Sequence, residues 1–414
     1  MMSMGMAKRL QIEIDEQGWA PTDLSICVDC VEDRALKNAV SGSASAQDEC
    51  SFCGRQNAAT FDLVVGMFAD GIKNEFNNID DESVAYDSRE GGYQISDNQR
   101  WDTWDLIGDF SDSFAREDIV ESLRDSMQDR IWVKRDVFSL GPDIAMADAW
   151  ENLCEQVKYK TRYVFWLADS RKTESYPSAG EITPAEVLDH IGEVVDSQLG
   201  LISTLERGTT FWRARTHPEG KLNTDVPAGE LGTSPRQYAK SPNRMSPAGI
   251  PMFYGAEDQI TAIKEVSAHT PLESDHVTFG RFRLEKDIAV LDLTKLPAEP
   301  SIFCPQLGHL RREIRFLHKF VEQLGLKIDN EDQPIDYIPT QLVTEFFMQA
   351  HMRANNEPVI GLLYNSTASP GGLACVLDIP NDCCLEENAT ITHDEDAPTL
   401  VLERRTVETR PLQN

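Results

Sequence analysis

Four cysteines near the start of the chain constrain its fold most. Cys27 and Cys30 form one C-x-x-C pair and Cys50 and Cys53 a second, with nineteen residues between the pairs. Each pair sets two sulfurs on one tight turn, and two such turns brought together make a tetrahedral four-thiolate site of the kind that holds a structural zinc ion. Gly54 helps to close the second turn, and the intervening SGSASAQ reads as a flexible polar loop. Four thiolates leave no open coordination position, so a catalytic zinc is not expected. A module this small buries little core by itself, so the metal is expected to stabilise this part of the fold. The competing reading is four reduced, unconnected thiols.

The other five cysteines, Cys154, Cys304, Cys375, Cys383 and Cys384, are scattered, and the adjacent Cys383 and Cys384 read as packing residues. A chain of 414 residues suggests two or three domains, and a hydrophobic content of 41% is enough for true cores. Its net charge of −30 argues against strong nucleic-acid binding and against anionic membranes. No apolar run reaches the roughly 18 residues of a membrane helix, and the N-terminal MMSMGMAKRLQIEI lacks a signal peptide's apolar core. The expectation is a soluble cytoplasmic protein with reduced thiols.

Along the chain, residues 61–77 and the segments REDIVESLRDSM and DAWENLCEQVKYKTRYVFWL carry apolar residues at helical spacing. Residues 61–182 are therefore expected to be all-α, following an N-terminal segment over 1–60 that holds the zinc module. Thr183-Pro184-Ala185-Glu186 is a helix start, with a Thr cap, Pro at the first position and Glu at the third. That helix is expected to stop near Gly208. From there TTFWRAR, IPMFYGA, HVTFGRFRL, IAVLDL and VIGLLYN read as short strands, and TAIKEVSAH, LRREIRFLHKFVEQLG and IPTQLVTEFFMQAHMRA as helices. Residues 183–390 are thus an α+β domain, and 391–414 a peripheral strand or tail.

Charge inverts locally. Residues 207–244 hold Arg207, Arg213, Arg215, Lys221, Arg236, Lys240 and Arg244 against Glu219, Asp225 and Glu230. Much of this is a long Gly/Pro/Ser-rich loop, and long loops in compact domains often bind ligands. Arginine's planar fork suits a phosphate; a solvated basic loop is the alternative. Ten residues after Arg244, Tyr254 closes an apolar strand, either as a stacking ring for a planar ligand or as a partly buried tyrosine. Eleven further on, Glu265 flanks the apolar face of a helix that uses Ile260 and Ile263, and it either points inward or is solvated. An inward carboxylate is costly unless paired or used. Ser366 follows the strand GLLYN; no G-x-S-x-G elbow surrounds it, so a hydrogen-bonding role fits better than a nucleophile. No Walker A, G-x-G-x-x-G or H-E-x-x-H motif is present, and Arg312 with His318 lies in the wrong half of the chain for a helical R-x-H nuclease.

The succession FWRAR, Arg244 ahead of Tyr254, AIKEV and YNS resembles the RES domain family over roughly residues 200–385. The stretch around Arg244 is Pro-Asn-Arg-Met-Ser where that family has Gly-Gly-Arg-Trp-Asn, which leaves Arg213 as a co-candidate for the phosphate-binding arginine. The CxxC pairs followed by FDLVV, REGGYQ and WDTWDL resemble the helical, HEPN-like N-terminal domain that precedes some RES domains. The first 170 residues contain no histidine, so the R-x-H ribonuclease chemistry of HEPN domains is not expected; a sensing, scaffolding or inhibitory role is.

The resemblance implies an ADP-ribosyltransferase-like fold and an enzyme that degrades NAD+ as a bacterial toxin. It implies Arg244, with Arg213 and Arg215 as cofactor-binding candidates, on the pyrophosphate. Tyr254 would lie against nicotinamide or ribose, Glu265 on the ribose hydroxyls and the developing positive charge, and Ser366 as a positioning group. Water would make the enzyme a glycohydrolase and phosphate a phosphorylase; a macromolecular acceptor, or an inactive zinc-containing binding protein, are the rivals. An antitoxin or regulatory partner, a trigger such as phage infection, and a homo-oligomer are expected with this family.

Overall fold

The computed structural model describes residues 4–89, 91–170, 179–267, 274–326, 332–387, 389 and 397–412. They fall into two compact units: one within 1–144, 177–181 and 297–315, the other within 145–176, 182–296 and 316–414.

The first unit starts from the cysteine module. Strands Ser25–Cys27, Gln56–Thr60 and Ser45–Glu49 form a small antiparallel sheet with Gln56–Thr60 in the middle. The helix Arg34–Ser43 is capped by Asp33, whose carboxylate accepts the N–H groups of Ala35 and Leu36. The helix Phe61–Ile72 buries Phe61, Val64, Phe68 and Ile72. The helical expectation for 61–182 holds for the helices, and the structure adds a sheet of Phe76–Asn78, Ile131–Lys134 and Arg100–Asp102. Strands of three or four residues are too short for alternation to announce them.

The unit boundaries cross the sequence-derived domains in both directions. Residues 297–315, read as C-terminal domain, belong to the first unit, where Ile302 and Phe303 are core residues. Phe303 stacks on Phe68 with ring centroids 5.1 Å apart. Gly71 permits this: a Cβ there would lie 2.5 Å from the Phe303 ring. Conversely, the helix Pro142–Tyr159, read as N-terminal domain, contributes Met146, Ala149, Trp150, Leu153 and Val157 to the core of the second unit.

The second unit is built on a nine-stranded sheet: β1 (Ile202–Leu205), β2 (Thr210–His217), β3 (Phe253–Ala256), β4 (His276–Leu284), β5 (Ile288–Asp292), β6 (Val359–Asn365), β7 (Leu373–Leu377), β8 (Cys384–Glu386) and β9 (Leu400–Pro411). Their spatial order is β8-β9-β4-β2-β3-β7-β6-β5-β1. The β5–β6 and β8–β9 pairs are parallel and the rest antiparallel. The stretch 391–414 supplies β9, which pairs with β4 from Leu284 to His276 and so lies inside the sheet. The helix expected to run to Gly208 ends by Gln198; Gly200, at φ +61°, turns the chain, and Ile202–Leu205 pairs with β5.

Both faces of this sheet are covered. Met245, Met252, Leu362 and Val376 meet Trp150, Phe316, Phe320 and Phe347 on one side. Phe211, Phe253, Phe282, Cys375 and Leu402 form a core on the other. Side chains alternate along each strand, so neighbouring residues of β2 and β3 are sent to opposite layers.

Candidate functional site

Glu265 lies in the helix Gln259–Ser267, whose start is fixed by Asp258 accepting from Thr261 N at 2.9 Å and Thr261 Oγ1 at 2.6 Å. Ile263 and Val266 pack on Ala214, Ala256 and Phe279. Ile260, expected on the apolar face, is instead 63% exposed. The packed face turns Glu265 toward the sheet, where Oε1 accepts a hydrogen bond from Ser366 Oγ at 2.5 Å. Ser366, immediately after β6, is itself buried and held. Its N–H bonds Gly372 O at 2.8 Å, and its Oγ accepts Ser369 N at 3.0 Å. Gly372 has to be glycine, because a Cβ would come within 2.2 Å of Thr261 Oγ1.

Tyr254 stands inside β3 rather than at its end. It pairs with Val376 of β7, which in turn pairs with Leu362 of β6. The next positions on the same face are Ala256, Ala374 and Tyr364, so Tyr254 and Tyr364 share one layer. The Tyr254 hydroxyl pins the loop that carries Arg244: it accepts Met245 N at 3.3 Å and pairs with Ser246 Oγ at 2.9 Å. Gln341 closes that loop from the other side, donating to Asn243 O at 2.8 Å. Burial pushes the Tyr254 phenol up to about 12 against the lowering effect of these bonds. Tyr364 is raised well above its ordinary value, first by burial and then by the charge of Glu265. Both rings are therefore neutral at neutral pH, and neither serves as a base.

Arg244 reaches from this loop to the end of the helix Arg311–Gly325, donating to Gly325 O and Leu326 O, each at 3.1 Å. A guanidinium on the last carbonyls of a helix satisfies acceptors that have no partner within it. Burial raises the Tyr337 phenol, and the charge of the same Arg244 side chain opposes that rise.

The other two arginine candidates lie differently. Arg213 and Arg215 alternate with Trp212 and Ala214, which pack beside the Gln259–Ser267 helix, and share the face of Phe211. Arg213 donates from Nη1 to the Tyr254 carbonyl at 2.6 Å and lies 5.7 Å from the Phe253 ring centroid. Its Nε is buried without a hydrogen-bond partner. Arg215 donates to Leu231 O, Gly232 O and Ser234 Oγ, which anchors the loop after β2, and burial lowers it to about 9. Hydrogen bonds thus join Tyr254 to the loop that carries Arg244, and Glu265 to Ser366, and the charges of Glu265 and Arg244 both act on Tyr364. Arg213 is attached through the Tyr254 backbone, and Arg215 serves the loop. Tyr364, Ser246 and Gln341 were not singled out as site residues from sequence. For Tyr364 a signal existed, since it lies two residues after Leu362 on one face of a strand that ends just before Ser366.

The four N-terminal cysteines form a candidate metal centre in the first unit. Their sulfurs all lie within 4.8 Å of one another. Cys27 and Cys53 Sγ are 3.4 Å apart, and Cys30 and Cys50 Sγ 3.7 Å. Tetrahedral ligands at the usual ~2.3 Å zinc–sulfur distance sit about 3.8 Å apart, so the donor set fits such an ion. Cys27 N also donates to Cys50 Sγ at 3.3 Å, the kind of N–H contact that supports a thiolate.

Two family models match the chain. Residues 43–171 match HEPN/RES N-terminal domain 1, and residues 210–399 match the RES domain. The chain carries a RES domain. That membership supports a toxin-like, NAD-related function in general terms. No curated protein and no solved structure matches the chain. The matched RES domain spans every site residue from Arg213 to Ser366, while of the four cysteines only Cys50 and Cys53 fall inside the N-terminal match. Among the described residues, no helix is long and apolar enough to cross a membrane.

Proposed function

We propose that this RES domain cleaves NAD+ at the bond between nicotinamide and ribose. The observation that carries the reading is the Glu265–Ser366 pair beside the neutral Tyr364: one carboxylate, locked in orientation by a buried serine, among aromatic rings. As the bond from ribose C1′ to nicotinamide breaks, nicotinamide leaves with the electron pair and C1′ gains oxocarbenium character. Glu265 stabilises that charge and accepts from a ribose hydroxyl, and Ser366 keeps the carboxylate aimed. Tyr254 and Tyr364 supply flat faces to the rings. Arg244 holds the pyrophosphate, while Arg213, on the Phe211 face of the sheet, anchors the Tyr254 backbone instead. The acceptor that closes on C1′ is water or inorganic phosphate.

The cysteine site holds zinc in a structural role and is distant in sequence from this chemistry. In the cell the reaction would arrest growth, within a toxin–antitoxin or phage-defence system in which an antitoxin or regulatory protein restrains the enzyme. The test is to incubate the purified full-length protein with NAD+, with and without phosphate, and to follow nicotinamide by chromatography, with Glu265→Gln as control. Release that disappears in the variant supports the reading, and phosphate dependence names the acceptor. Nicotinamide release only when a macromolecule is added points to ADP-ribosylation. No release under any condition points to a binding protein.

A further inference from the structure

The N-terminal match ends at residue 171, yet its helix Pro142–Tyr159 is built into the second unit, against the elements that hold Arg244. Two contacts make the connection. Trp150, 4% exposed, packs edge-on to Phe320 with ring centroids 4.9 Å apart, and its Nε1 donates to Gln323 Oε1 at 2.7 Å. Phe320 and Gln323 lie on the Arg311–Gly325 helix, whose last carbonyl accepts from Arg244. Eight residues after Trp150, Lys158 Nζ meets Asp336 at 2.7 Å, and the next residue, Tyr337, lies within the influence of the Arg244 charge. One helix of the N-terminal domain therefore braces both the helix whose end Arg244 caps and the segment that carries Tyr337.

We propose that Trp150 and Lys158 are positioning residues for the Arg244 loop, so that the N-terminal domain completes the substrate site instead of covering it. The physical case rests on burial. Removing Trp150 would leave a cavity against Phe320 in the layer that also holds Phe316 and Met245. The end of the Arg311–Gly325 helix, and with it the anchor of Arg244, would then be free to shift. Arg244 itself makes no contact with Trp150; the effect passes through Gly325, Leu326 and Tyr337. A domain that only restrained a finished enzyme would not need to share this core.

The kinetic arm of this proposal rests on the NAD+ reading, so the experiment has a second arm that does not. In the full-length protein, Trp150→Phe and Gln323→Leu each remove the indole–amide hydrogen bond, and Lys158→Met removes the second contact. Hydrogen exchange is measured at residues 243–247, together with KM and kcat for NAD+. The expected result for each variant is faster exchange at the Met245 amide, which donates to Tyr254, and a KM raised by about three- to tenfold with kcat changed less. Lys158→Arg, which keeps the charge, restores both. Unchanged exchange at 243–247 in all three folded variants overturns the proposal. So does a rise in exchange spread evenly over the second unit, which is the signature of lost stability alone. If wild-type protein releases no nicotinamide, the functional reading fails while the exchange arm still decides the coupling.

Discussion

Ser366 Oγ donates to Glu265 Oε1 at 2.5 Å while accepting the Ser369 amide at 3.0 Å. The serine thus has a fixed direction for its proton, and the carboxylate has a fixed plane. One hydroxyl, oriented by a backbone N–H, sets where the negative charge of the site points. Ser366→Ala should leave Glu265 in place but free to rotate, lowering kcat for nicotinamide release about tenfold, whereas Glu265→Gln removes the charge and should cost about a hundredfold or more. Equal losses in both variants would mean that the serine acts on substrate directly rather than through the glutamate.

Tyr254 links strand and loop by its hydroxyl, which accepts from Met245 N and pairs with Ser246. Tyr254→Phe keeps the ring and leaves a buried N–H without its acceptor. The expected cost is about 1–2 kcal/mol of stability with a higher KM and little change in kcat. Urea unfolding at fixed pH together with steady-state kinetics would check it. A fall in kcat with KM unchanged would instead assign the hydroxyl to the chemical step.

Stability should fall on the alkaline side. Burial raises Tyr254 to about 12, and raises the thiols of Cys154 and Cys375 to about 12 from 9.0. In each case the folded state keeps its proton at a pH where the unfolded chain has lost it. Stability is therefore complete below about pH 8, declines as pH rises through the unfolded values near 9 and 10, and stops declining from these groups near pH 12. Unfolding free energies measured at pH 7.5, 9 and 10.5 should descend in that order, and the Tyr254→Phe variant should lose part of the slope above pH 10.

Much of the C-terminal sheet was legible because TTFWRAR alternates and the runs from IPMFYGA to VIGLLYN are short strand-like stretches bounded by Pro, Gly and Asn. The same alternation carries the reason that Arg215 is a loop anchor. It falls two and four residues from Arg213 and Phe211 and so shares the Phe211 face, away from Glu265. The chain's order reveals type and face, whereas the partner of a polar atom depends on loops whose conformation no periodicity encodes. For the same reason Trp150 and Phe303 read only as members of amphipathic or apolar runs. That residues 145–176 fall in one unit and 297–315 in the other, each against the stretch before it, is a tertiary fact. The short strands of the first unit were silent because three residues make less than two periods of alternation.

The cysteine centre should carry about one zinc ion per chain by elemental analysis. Because the four sulfurs tie Ser25–Cys27 and the turn Val28–Cys30 to the turn at Cys50–Cys53, chelation should lower the melting temperature of the first unit and speed hydrogen exchange there. Cys30→Ser should do the same without added chelator. A protein that melts identically with and without chelator, and holds no metal as purified, would return the four residues to reduced thiols.

Gly372 offers a test of the site's packing that touches no reacting group. A Cβ there would lie 2.2 Å from Thr261 Oγ1, and Thr261 is the residue that Asp258 uses to fix the start of the Glu265 helix. Gly372→Ala should push this helix away from the 366–372 loop, lengthening the Glu265–Ser366 contact and stretching the Ser366 N to Gly372 O bond. Nicotinamide release should fall about a hundredfold with a small change in melting temperature, since misplacement of about an ångström is enough for such a loss. Thr261→Ala added to the same chain removes the clashing hydroxyl, and recovery of activity in the double variant would establish that the glycine serves the geometry of Glu265. A double variant as inactive as the single one would place the effect of Gly372 on the loop backbone alone.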